Sequence, residues 1–69
     1  MITYNKLWKL LIDRNMKKKN LQKASGVSAA SIAKLGRNGN VTVEVLVKIC
    51  QALKCDIGDI CEIEKNGEK

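Results

Sequence analysis

Apolar residues recur along this chain at three- and four-residue intervals, and glycines interrupt the rhythm. Leu7 and Leu11, with Trp8 and Ile12, form two i,i+4 pairs that merge into one stripe, while Lys6, Lys9, Asp13 and Arg14 fall elsewhere. This predicts a first helix over about 5–15, with Asn5 as N-cap and Trp8 as the largest core residue in preference to a nucleic-acid stacking residue. A second helix is expected over about 18–25, with Leu21 and Ala24 inward, and Gly26 stops it. Val27 follows as an apolar plug. Ser28 caps a third helix over about 29–35 that buries Ile32 and Leu35. Gly36 to Asn40 reads as a loop, because Asn-Gly and paired glycines favour turns. Thr42 then caps a fourth helix over about 43–53, whose inner face is Leu46, Ile49, Cys50 and Leu53 and whose first turn holds Glu44. Asp56 caps a short fifth helix, 57–60. Cys61 to Glu64 has strand-like character that would pair with Met1 to Tyr4. The expectation is an all-α fold of five helices with a short terminal strand pair.

Length narrows the options. The 69 residues make a single domain, 1–69, which buries only about 60% of its unfolded surface and has little room for a deep substrate pocket. The run Leu10-Leu11-Ile12 is bounded by Lys9 and Asp13, far short of the roughly 20 apolar residues that span a bilayer. The N-terminus also lacks the apolar stretch and cleavage site of a secretory signal, so a cytoplasmic protein is expected. Cys50, Cys55 and Cys61 are odd in number, have no C-x-x-C spacing and no histidine to join them. That is a poor disulfide framework and a poor zinc site, and Cys50 on an apolar stripe reads as a small hydrophobe. No metal and no cofactor are expected.

Charge changes the picture more than composition does. Residues 1–40 hold nine Lys and Arg against Asp13 alone, a balance of +8, whereas residues 41–69 hold four against six acids, a balance of −2. Such a polarised field suits a polyanion partner. With no histidine, and with Asp13, Glu44, Asp56, Asp59, Glu62, Glu64 and Glu68 outside any cleft-forming segment, catalysis is not expected. Gly36-Arg37-Asn38-Gly39-Asn40 lacks the strand-to-helix context of a phosphate-cradling loop.

The most informative stretch is Leu21 to Leu35. Two short helices are joined by a tight turn at Gly26, with Leu21, Val27, Ile32 and Leu35 as their shared core, which is the spacing of a helix-turn-helix. From Asn5 to about Ile63 the chain resembles the Cro/CI-type (XRE, lambda-repressor-like) family of bacterial transcriptional regulators. The Gly-Val-Ser turn carries the resemblance together with the run Val45-Leu46-Val47-Lys48-Ile49-Cys50-Gln51-Ala52-Leu53-Lys54-Cys55-Asp56-Ile57-Gly58-Asp59-Ile60. One position departs from it: four residues before the turn glycine, where the family usually has a small residue, stands Gln22.

The resemblance implies a five-helix lambda-repressor-like domain that binds double-stranded DNA, acts as a regulator and most simply as a repressor, and works as a homodimer on a two-fold site. It implies that Ser28, Ala29, Ala30, Ser31 and Lys34 approach base edges. Alanines offer only methyl contacts and Lys34 alone is suited to guanine, so specificity would be modest or drawn partly from DNA shape. Lys17, Lys18, Lys19, Arg37, Asn38, Asn40 and Thr42 would meet phosphates. The least basic, carboxy-terminal side, around the fifth helix and Ile60 to Ile63, is the expected dimer surface. The alternative is a protein-interaction module on the same fold, such as an antitoxin or anti-repressor. RNA binding is less suited to a chain whose only aromatics are Tyr4 and Trp8.

Overall fold

The structure is a computed structural model that describes residues 1–64; residues 65–69 of the expected domain, Glu68 among them, lie outside the described part. Along the chain run β1 (Ile2–Thr3), α1 (Asn5–Asp13), α2 (Lys18–Ser25), α3 (Ala29–Gly36), α4 (Val43–Leu53), a 3₁₀ turn (Ile57–Asp59) and β2 (Glu62–Ile63). β1 and β2 pair antiparallel, with Ile2 opposite Ile63 and Thr3 opposite Glu62. The terminal strand pair therefore exists, and it brings the two ends of the described chain together. The fifth helix does not. Asp56 caps Ile57 as expected, but the segment closes after one 3₁₀ turn and leads directly into β2. Three residues bound to a strand on one side have no room for an α-helical turn.

The core is a single cluster of Tyr4, Leu7, Leu11, Leu21, Val27, Ile32, Leu35, Leu46, Ile49, Cys50, Leu53, Ile60 and Cys61. α2 packs chiefly on α4 and also on α3, so α4 is the platform on which the helix-turn-helix rests. Three expectations are corrected here. The α1 stripe is narrower than its periodicity suggests: Leu7 and Leu11 are buried, Trp8 is half-buried, and Ile12 is 72% exposed. A helix in a domain this small touches the core along one line, and residues one position round from that line stay at the rim. Ala24 is exposed, because α2 turns Leu21 inward with Ser25 one turn on, and Ser25 Oγ donates to Leu21 O at 2.7 Å. Asn5 is the first residue of α1, not its N-cap; Tyr4 holds that place without a side-chain cap bond.

Tyr4 is 1% exposed and packs in the core. Its main-chain N–H donates to Asn38 Oδ1 (3.2 Å) and its hydroxyl donates to Gly39 O (3.3 Å), so it straps the loop after α3 to the amino terminus. Burial, followed by the nearby Cys61, raises the phenol's pKa and keeps the hydroxyl protonated for that bond.

Three helices end on a left-handed residue that is not glycine: Asn15 (φ 55°), Asn38 (φ 55°) and Lys54 (φ 54°). In each case the next residue's N–H reaches back five positions, from Met16 to Leu11 O, from Gly39 to Lys34 O and from Cys55 to Cys50 O, at 2.9, 2.7 and 3.0 Å. Asparagine tolerates this conformation better than lysine, whose Cβ is crowded against the following carbonyl. Lys54→Gly is accordingly expected to stabilise the fold by about 1 kcal/mol, seen as a higher urea midpoint with unchanged slope. An unchanged or lower midpoint would show that the backbone at Lys54 is not under strain.

Candidate nucleic-acid interface

Gly26 makes the bend between α2 and α3. It sits at φ 76°, and its N–H closes the last turn of α2 on Gln22 O. A side chain there would be strained in the left-handed region. Val27 then drops into the core, its N–H held by Ser25 Oγ at 3.2 Å. Ser28 leaves the turn extended and caps α3, its Oγ accepting from Ser31 N at 3.2 Å. Ile32 and Leu35 pin the inner side of α3 to the core. Gln22, which stands where the family usually has a small residue, is half-buried.

The other side of α3 is open. Ser28, Ala29, Ala30, Ala33 and Lys34 are exposed and Ser31 is half-buried. Ser28 Oγ donates to Ser31 Oγ (3.2 Å), which leaves the Ser31 hydroxyl proton as the donor directed elsewhere. The surface is made of Cβ methyls, two hydroxyls and one ammonium. Nothing on it is bulky enough to hold a polyanion's grooved surface away from the helix backbone. Ala33 belongs to this face, one turn from Ala29 and Ala30; the sequence pattern does not single it out because an alanine adds little to either an apolar or a polar stripe.

Cations gather near the carboxy-terminal end of that helix. Lys17, Lys18 and Lys19 are all exposed at the start of α2, where Lys17 N donates to Asn20 Oδ1 at 2.8 Å. Lys18 bends back: its Nζ stands 4.7 Å from the Trp8 ring centroid and 3.6 Å from where a Cβ would be at Gly36. The lysine end of α2 and the carboxy-terminal end of α3 are therefore neighbours. Beyond Gly36, Arg37 and Asn40 are exposed. Asn38 is half-buried with its amide oxygen held by Tyr4, so only its NH₂ group remains to meet an anion. Thr42 Oγ1 accepts from Val45 N (3.3 Å) as the cap of α4, and its hydroxyl proton is free to donate outward. Tyr4, through its two bonds to this loop, is the positioning residue that periodicity did not reveal; the signal was a lone tyrosine directly before a helix.

Elsewhere two lysines are tied locally. Lys6 Nζ donates to Gly58 O (3.1 Å) and pairs with Glu62 (3.7 Å), and Lys48 pairs with Glu44 (3.9 Å). Such exposed pairs contribute little to stability. Burial first, and then the adjacent Cys55, pushes the Cys50 thiol up to about 11, and burial also raises Cys61. Both stay protonated near neutrality, which suits packing better than nucleophilic or ligand chemistry. No described helix is long and apolar enough to cross a membrane.

Comparison with known proteins agrees with this geometry. A crystal structure of the transcriptional regulator VanUg superposes with a TM-score of 0.84 at 61% identity, over 88% of this chain and 81% of that one. No curated protein matches the chain significantly in sequence. The model of the Cro/C1-type helix-turn-helix DNA-binding domain matches residues 6–66, spanning all of α2, α3 and α4. The chain is a member of the Cro/C1-type helix-turn-helix DNA-binding family.

Proposed function

We propose that this protein is a sequence-specific transcriptional regulator, acting as a repressor, that lays α3 in the major groove of DNA. Ser28, Ala29, Ala30, Ser31 and Lys34 face base edges, with Ala33 adding a methyl contact. The triple lysine, Arg37, Asn38, Asn40 and Thr42 hold phosphates of the DNA backbone. The observation that carries this reading is the adjacency of Lys18 and Gly36, which sets the lysine end of α2 beside the Arg37 end of α3 and gathers cations at one end of a side-chain-poor helix. A repressor of this kind needs no catalytic group, because occupying a promoter excludes polymerase.

One domain reads only a few base pairs, so the active form is a homodimer on half-sites about 34 Å apart. Ile60 and Cys61 are buried within their own protomer and cannot form the seam. Among the described residues after α4, the exposed large apolar side chains are Ile57 and Ile63.

Selection of bound duplexes from randomised DNA tests the reading, and paired half-sites of fixed spacing are the expected product. Against the selected site, log K should fall linearly with log salt, and Lys18→Gln with Lys19→Gln should flatten that slope by about 0.9 per lost contact. Lys34→Gln should instead change the preferred base at one position. Absence of any enriched duplex, with affinity for a protein partner that salt leaves untouched, would favour the interaction-module alternative.

A further inference from the structure

Trp8 was expected in the core, yet it sits half-buried at the α1–α2 rim with the Lys18 ammonium over its ring. We infer that Trp8 is a positioning residue for DNA binding: it fixes the Lys18 ammonium against α3 so that the charge is already in place when the phosphate backbone arrives. The inference rests on the DNA-binding reading above, and adds to it a residue outside the helix-turn-helix.

Three observations support it. Lys18 is exposed, so the ring supports one side of the ammonium while its N–H donors remain open to solvent. Its Nζ also lies beside Gly36, the last residue of α3, where the negative end of the helix dipole favours a cation. Finally, Lys17 and Lys19 are exposed and have no counterpart of this aromatic support among the described residues. A lysine on a free four-carbon stem loses rotamer freedom when it meets a phosphate. Lys18 has given up much of that freedom before binding, and the aromatic ring does so without neutralising the charge.

The test begins without DNA. In the free protein, the Lys18 ε-methylene protons should be shifted upfield by the Trp8 ring current, and Trp8→Leu should return them to the position of an ordinary surface lysine. Lysine resonances at the ordinary position in the wild type would overturn the pairing itself. DNA affinities then follow for Trp8→Leu, Trp8→Phe, Lys18→Gln and the Trp8→Leu/Lys18→Gln double variant, each checked as folded by circular dichroism. Trp8→Leu should weaken binding about three- to fivefold, Trp8→Phe should stay within about twofold of wild type, and Trp8→Leu should cost nothing further once Lys18 is gone. Additive losses, or tighter binding by Trp8→Leu, would overturn the inference, the latter by showing that the ring sequesters the lysine. If Trp8→Leu fails to fold, Trp8→Phe and Trp8→Met supply the same comparison. Should the wild type bind no duplex at any salt while the ring-current shift is present, the functional reading fails and the pairing survives.

Discussion

Leu35→Ala should remove a large part of the stability of this domain. Leu35 is 0% exposed and is the residue that seats the carboxy-terminal half of α3 in the core. Truncating such a leucine removes its transfer free energy and leaves a cavity, together about 2–5 kcal/mol. At about 0.05–0.15 kcal/mol per residue, the whole domain is stable by only about 3–10 kcal/mol. One side chain therefore removes a large part of the total. The urea midpoint should fall sharply, and DNA binding should fall with the folded fraction. A midpoint unmoved beyond about 0.5 kcal/mol would mean that α3 is not held by this contact.

Ala30→Glu should do the reverse, abolishing DNA binding while the fold is kept or slightly strengthened. Ala30 is exposed in the first turn of α3, where a carboxylate complements the helix dipole by about 0.3–1 kcal/mol. On the proposed interface that same carboxylate meets the phosphate-lined groove. A like charge placed in an interface costs several kcal/mol, and at about 1.4 kcal/mol per decade a loss of a hundredfold or more is expected. Thermal unfolding and a binding titration on one preparation separate the two effects. Binding of the wild-type site within about threefold of wild type would remove Ala30 from the interface, because a carboxylate in the first turn of an inserted helix would meet the phosphate-lined groove.

Together the two substitutions distinguish the inner and outer sides of a single eight-residue helix. Its inner side, Ile32 and Leu35, serves stability. The outer side, from Ser28 to Lys34, is nearly free of packing constraints and is available for recognition.

How much of this was legible before folding differs element by element. The bend at Gly26 was readable because glycine, an apolar plug and a serine cap in succession have few alternative uses. The α4 stripe was readable because Leu46, Ile49, Cys50 and Leu53 repeat the helical period without interruption. The loop tie was not. Tyr4 reaches Asn38 and Gly39 across more than thirty positions, and no local pattern encodes a contact at that separation. The exposure of Trp8 and Ile12 is illegible for a related reason: periodicity identifies the apolar side of a helix but not how much of that side its neighbours will cover. In α1 they cover Leu7 and Leu11 and leave Ile12 in water.

The amino-acid sequence alone therefore determined those features whose physics is local: the four α-helices, the caps at Ser28, Thr42 and Asp56, the turn at Gly26, and the concentration of cations in the first forty residues. Tertiary packing decided the rest. It reduced the fifth helix to a single 3₁₀ turn, buried Ile60 instead of exposing it, made Tyr4 a strap and set the Lys18 ammonium between Trp8 and Gly36. Each of those outcomes depends on which surfaces meet after the chain has closed on itself, and the free energy of such a contact belongs to two distant segments jointly and to neither segment by itself.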